Sequence, residues 1–181
     1  MKKAVTLFLA AVIMVISLAA CGDTNNQPED INDQSEGIYE DNGYVWGEVG
    51  DTLSTAWFDF NVTDATLYSE YNGNTPSDGC QFLVLKMWLN NTYNESVPMW
   101  WSDFDVEWED PDSYELPVSM TVDGKELTEE EYSLRRARSA NLVLVYEVAE
   151  GYDEFYLYFD EAFEDGTDGD VFAVHLTPEH N

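Results

Sequence analysis

Positive charge is what this chain has least of. Its 181 residues include seven Lys and Arg against 37 Asp and Glu, a formal net charge of −30 at neutral pH. Nucleic acid and anionic lipid surfaces both demand basic faces, so direct binding to either is excluded. Histidine is nearly as scarce. His175 and His180 are the two present, and neither falls in a recognisable nucleophile or metal motif. Phosphate-binding glycine motifs are missing too. Pairs of carboxylates occur throughout, as they must at this composition, and so carry no information about acid–base chemistry. The longest uncharged apolar run, Val5 to Leu18, is shorter than the ~20 residues a membrane-spanning helix needs.

That run has its own logic. Met1, Lys2 and Lys3 give a positive start, the apolar segment follows, and small Ala19 and Ala20 close it. This order reads as an export signal. Leu18-Ala19-Ala20-Cys21 resembles a bacterial lipobox. The resemblance implies that residues 1–20 are a lipoprotein signal peptide, cut just before Cys21, whose sulfur carries a diacylglycerol. The plainer alternative is a removed signal in which Cys21 has no role. An anchor at Cys21 makes the membrane a partner through lipid and places the protein on the extracellular face of the cell membrane; two or three acyl chains hold stably where one does not. Residues 21–43 then read as the lipidated cysteine and a disordered acidic linker, too poor in apolar residues to pack. As a flexible coil it spans about 25 Å. With Cys21 acylated, Cys80 has no intramolecular partner, and it reads as a small half-buried hydrophobe.

Beyond the linker the composition changes. Six Trp, 11 Tyr and nine Phe make the chain 14% aromatic, far too much for a disordered acidic protein. Residues 44–177 suffice for one domain with a real core, followed by a short tail at 178–181. Apolar residues recur there with period two: Phe58, Phe60, Val62; Leu83, Leu85, Met87, Leu89; Leu142, Leu144, Tyr146, Val148; Phe155, Leu157, Phe159; and Phe172, Val174, Leu176. In the second set the alternate residues Phe82, Val84 and Trp88 are also apolar, so both faces of that strand look covered. In the fourth, Tyr156 and Tyr158 face away from the core side. Short strands at this spacing predict an all-β, immunoglobulin-like antiparallel β-sandwich. One short helical insertion is expected at "TEEEYSLRR", where Thr128 and Glu131 have capping-box spacing and Glu131 precedes Arg135 by four.

Four segments then come in a telling order: "VGDTLSTAWFDFNVTDA", "GCQFLVLKMWLNNT", "VPMWWSDFDV" and "LVLVYEVAEGYDEFYLYF". Together they resemble the telokin-like, immunoglobulin-fold domain of small Gram-positive lipoproteins over most of residues 47 to 177. The pattern differs at Ala149, where the family often has proline, and at "RRARSAN", which replaces a Pro-Gly-rich loop. The resemblance implies an extracellular immunoglobulin-like domain with no established catalytic site.

Three features are candidates for function. Arg135, Arg136 and Arg138 supply three of the seven basic residues. They form either a patch for an anionic partner or local neutralisation at a helix end. Asp165, Asp168 and Asp170 lie in a Gly-rich loop that offers oxygen ligands to Ca2+, although its spacing lacks a closing glutamate and also suits a solvated turn. Adjacent Trp100 and Trp101 cannot both enter a core from one strand, so one is expected at the surface as a sugar platform or protein hot spot. No cofactor other than Ca2+ is suggested. The expectation is a lipid-anchored, non-catalytic binding or interaction module with a protein or cell-envelope partner. Carbohydrate binding through exposed Trp is the alternative.

Overall fold

The computed structural model describes residues 38–41, 43–109, 113–129, 131–163 and 165–181. Cys21, the signal segment and residues 21–37 of the linker therefore lie outside the described residues. The strands begin with β1 (Tyr39–Asp41), β2 (Tyr44–Glu48), β3 (Thr52–Ser54), β4 (Phe58–Tyr68) and β5 (Cys80–Asn91). Next come β6 (Val97–Trp100), β7 (Asp105–Glu107), β8 (Ser119–Val122), β9 (Lys125–Glu126) and β10 (Glu131–Leu134). The series closes with β11 (Ser139–Ala149), β12 (Phe155–Ala162), β13 (Asp168–Leu176) and β14 (Glu179–His180). They form two main sheets, β1-β2-β13-β12-β7 and β14-β4-β5-β11-β8-β9, with β3 on β4 and a separate β10-β6 pair. The expected all-β sandwich is what forms. Its pairings β4-β5-β11-β8 and β7-β12-β13 are those of an immunoglobulin-type sandwich.

Alternation decides what each strand buries. On the inner face Leu83, Leu85, Met87 and Leu89 of β5 lie opposite Tyr146, Leu144, Leu142 and Ala140 of β11, all fully or nearly fully buried. In β4 the inward residues Phe58, Phe60 and Val62 give way to Ala65 and Leu67, because a bulge between Val62 and Asp64 shifts the parity by one. Phe104, Phe159 and Phe172 complete an aromatic centre around Phe60, with ring centroids 5.7 to 6.3 Å from it. Tyr146 ties the sheets together: fully buried, it donates its hydroxyl to the Phe104 carbonyl at 3.2 Å. Burial holds that phenol well above its ordinary pKa.

Of the buried polar side chains Thr66, Asn91 and Glu161, the last two bind the structure together. Asn91 donates to the carbonyls of Glu95 and Leu134 at 2.9 and 2.7 Å and accepts from the Tyr93 N–H at 2.8 Å. It thereby fastens the end of β5 to β10, which explains an asparagine at the close of a long apolar strand. Glu161 follows Phe159 on the inward parity of β12. Its carboxylate accepts from the Ala56 N–H at 2.6 Å and the Asp170 N–H at 3.4 Å.

Some expectations are corrected. The helical insertion at Thr128 is absent: Glu131–Leu134 is strand, paired from Glu131↔Trp100 to Leu134↔Val97. Within it Leu134 is buried and Tyr132 half-buried, while Glu131 and Ser133 are exposed, a period of two rather than 3.6. The physical reason is that β6 needs a partner for its backbone groups, and this pairing outweighs a local capping signal. The helical element among the described residues is a single 3₁₀ turn, Trp101–Asp103. The sheet starts earlier than residue 44, since Tyr39–Asp41 pairs with β2. In the tail, Glu179 and His180 add to β4 in parallel.

Candidate binding site

The outer face of β1-β2-β13-β12-β7 collects aromatic rings, and the register shows why. Val45 is buried in β2, so Tyr44, Trp46 and Glu48 turn outward. Phe172 and Val174 are buried in β13, so Ala173 and His175 do the same. Tyr156 and Tyr158 are the outward residues of β12. One row across the sheet reads Tyr39, Trp46, Ala173, Tyr158, Asp105, and the next reads Glu48, His175, Tyr156, Glu107. Small Ala173 is fully buried beneath the rings of its row.

The rings form a pavement with one upright wall. Tyr39 and Tyr44 lie nearly parallel to Trp46, at 6.2 and 5.7 Å between centroids and 13° and 18° between planes. Tyr156 stands at 86° to Trp46 with its centroid 6.1 Å away, and stacks on His175 at 5.2 Å. Between them runs an open groove of about 360 Å³, lined by Tyr39, Trp46, Glu48, Tyr156, Tyr158 and His175. That size suits a small ligand. Tyr39 and Tyr44 remain 47% and 40% exposed.

The electrostatics have one sign. No lining residue is Lys or Arg. Nε2 of His175 is enclosed and has no hydrogen-bond partner among the described residues. The Glu154 carboxylate stands 3.9 Å from it, beyond hydrogen-bond reach. At the far end of the row, Asp105 is pushed up to about 6 by desolvation, with Asp160 and Glu107 adding repulsion. Desolvation, then Glu107, raises Tyr158 to about 12. The arrangement offers ring faces, hydroxyls and carboxylates, and nothing in it resembles a nucleophile with its base.

The candidates read from sequence fall elsewhere and are not brought together with this groove. Trp100 is the exposed member of its pair, and its N–H donates to Asp103 Oδ2 at 2.7 Å. Trp101 begins the 3₁₀ turn, packs against the core, and borders a shallow depression of about 180 Å³ with Val118, Met120 and Leu127. Burial pushes neighbouring Asp103 up to about 6, which the Trp100 N–H partly offsets. Arg135, Arg136 and Arg138 are all exposed on the β10–β11 turn, closed by the Arg138 N–H to the Arg135 carbonyl at 3.1 Å. Among the described residues none of the three makes an ion pair. With no helix there, their neutralisation of a helix end falls away. Asp165 accepts from the Thr167 N–H and hydroxyl at 3.0 and 2.6 Å within its own loop. No three His, Cys, Asp or Glu side chains converge on a metal-sized site among the described residues.

Sequence reasoning placed Tyr156 and Tyr158 off the core but missed Tyr39, Trp46 and His175 as their companions. The available signal was the alternation of "YVWGE", whose buried Val45 turns the aromatics outward. Their meeting depends on the parallel pairing of β2 with β13, a long-range contact.

The fold and the site together define a β-sandwich with a ligand-sized aromatic groove on one outer sheet. No protein-family model matches the sequence, and no curated protein matches it. Among solved structures, the chain is similar to YcdA, a candidate lipoprotein of Bacillus subtilis, with a TM-score of 0.50 and 15% identity. The likeness covers 70% of this chain but 38% of that one, so this chain spans well under half the length of YcdA, and what the two share is fold alone. Two others are an uncharacterized β-sandwich protein of Clostridium difficile and YjhA of Bacillus subtilis. The first has a TM-score of 0.47 and 10% identity over 82% of this chain and 99% of that one. The second has a TM-score of 0.47 and 16% identity over 71% and 98%. No helix among the described residues is long and apolar enough to cross a membrane.

Proposed function

We propose that this protein is a lipid-anchored, extracellular binding module of the telokin-like immunoglobulin type, non-catalytic, which holds a cell-envelope ligand in its outer aromatic groove. The observation that carries the reading is the groove itself. Five aromatic side chains from three strands remain accessible on one sheet face, where a solvated sheet would place polar residues. Clustered aromatic surface facing solvent is a common mark of interaction sites. The anchor is supported by the Leu18-Ala19-Ala20-Cys21 motif and by the lipoprotein description of YcdA. A lipid on Cys21 and a short tether would keep the groove close to the envelope. The arginine turn is a separate exposed patch that this reading does not require.

The test uses the full chain expressed in a Gram-positive host. Membrane fractionation should release the Cys21→Ser variant into the medium while the parent stays bound. Detergent-purified protein should bind isolated envelope material saturably, and Trp46→Ala should weaken that binding at least about tenfold. Equal binding by parent and variant would move the site off this face. Carbohydrate binding is the second reading, favoured by Trp100, 42% exposed on β6. Loss of binding in Trp100→Ala, with Trp46→Ala unaffected, would select it.

A further inference from the structure

The chemistry of the groove narrows its ligand, if the groove is the binding face proposed above. We infer that it takes a small quaternary ammonium cation, with the charged head between Trp46 and the Tyr156–Tyr158 wall.

Three observations converge on this class. The first is shape: Trp46 and Tyr156 stand at 86° to each other with centroids 6.1 Å apart, and with Tyr39 and Tyr158 they line one open groove. A cation over several ring faces is attracted by their quadrupoles. The second is charge. Glu48 and His175 line the groove, Glu154 stands beside His175, and Asp105 and Glu107 end the two rows on β7. No Lys or Arg lines it, within a chain of charge −30. This field repels anionic sugars, phosphates and acidic peptides and draws cations in. The third is hydration. A primary ammonium is compact, strongly hydrated and needs acceptors for three N–H groups. Here most of the lining is aromatic ring, and the acceptors are the tyrosine hydroxyls and Glu48, exposed at the side. A quaternary ammonium carries no N–H to satisfy and keeps its charge, so it loses least on leaving water. The neighbourhood gains as well, since repulsion around Asp105 eases when a positive charge approaches.

The experiment is calorimetric titration of the detergent-purified full chain with choline, its uncharged carbon isostere 3,3-dimethylbutan-1-ol, and ethanolamine. Choline should bind saturably, and the isostere and ethanolamine should each bind at least about tenfold more weakly. Tyr158→Ala and Trp46→Ala should each weaken choline about tenfold, while Trp46→Phe, which keeps a ring face, should lose only a few-fold. Thermal melts of the same variants establish that they fold. Equal affinity for the isostere would make the groove merely apolar, and equal affinity for ethanolamine would make it a general cation site; either overturns the inference. So does choline binding that survives both alanine variants. If choline fails while Trp46-dependent envelope binding persists, the cation assignment falls and the binding-module reading stands. If both fail, both fall.

Discussion

The two outer faces of this sandwich solve the same problem in opposite ways. On the β4-β5-β11 sheet, the outward residues Phe82, Val84 and Val145 are apolar yet only 6%, 2% and 5% exposed, packed with Tyr68, Tyr71 and Val143. The chain between β4 and β5 contributes Tyr71, whose ring lies 5.1 Å from Tyr68. Its far end is tied down by the Ser77 N–H to Glu147 Oε1 at 2.8 Å and the Glu150 N–H to the Gly79 carbonyl at 3.0 Å. On that sheet Lys86 is also paired with Asp64 at 2.8 Å. On β2-β13-β12 the outward residues are aromatic too, but their rings line an open groove and the carboxylates around them have no Lys or Arg partner among the described residues. The protein closes one apolar face with its own chain and leaves the other for something else. The difference is the ground of the proposed site: surface that folding covers is structure, and surface that folding leaves uncovered is available to a ligand.

Stability measurements can break that contrast. Phe82→Ala empties a buried site on the covered face and should cost about 3 kcal/mol, transfer and cavity terms together. Trp46→Ala removes a larger ring from the open face and should cost less, about 2 kcal/mol, because that ring is half-buried rather than enclosed in the fold. Denaturant unfolding of both variants gives the comparison directly. Equal losses would mean that the open face is part of the core, and the functional reading of its rings would go with it.

The inner half of this structure was legible because the core strands alternate with period two and nearly every inward position is apolar. Even the doubly covered β5 could be read, since Phe82 and Val84 interrupt the polar alternation. What could not be read depends on partners distant in the chain. The segment at Thr128 carries a local helical signal, and its conversion to strand is decided by Val97–Trp100 on the opposite side of the pair. The groove failed to appear for the same reason. Tyr39, Trp46 and Tyr158 are about 120 residues apart at the extremes, and one row across four strands brings them together. Composition pointed instead to the adjacent Trp100 and Trp101, a local feature, and to charge clusters that a chain this acidic produces anyway.

A smaller effect tests how the open sheet is held at its end. An added methyl at Gly169 would collide with Glu161 and with the edge of Phe163 at 2.9 Å. Glu161 cannot yield cheaply, because its carboxylate accepts the Ala56 N–H at 2.6 Å and joins the two sheets there. Gly169→Ala should therefore cost about 2 kcal/mol, as overpacking does, with the loss seen as a lower midpoint in urea. Groove binding should persist in the folded fraction, since Gly169 lies outside the lining residues. Loss of binding at full stability would show that the hairpin end, rather than the ring pavement, sets the groove.

The smallest predicted effect concerns charge on the open face. Asp105 is raised to about 6 from an ordinary 3.8, by desolvation first and then by Asp160 and Glu107. The folded state therefore holds this proton more tightly than the unfolded chain does, so stability falls as pH rises from about 4 through about 6. Above that window the deficit is fully present, and below it the deficit is gone. Asp105→Asn removes the ionisable group, so the variant should melt higher than the parent at pH 7.5 and alike at pH 4. Because Asp105 is only partly buried, the gain is held to about 1 kcal/mol or less. Asp103, also raised to about 6, leaves the variant a shallower slope in the same window. If a bound cation neutralises the acidic end of the row, saturating choline should narrow the gap between parent and variant at pH 7.5. A gap unchanged by choline would place the cation too far from β7 for Asp105 to feel it.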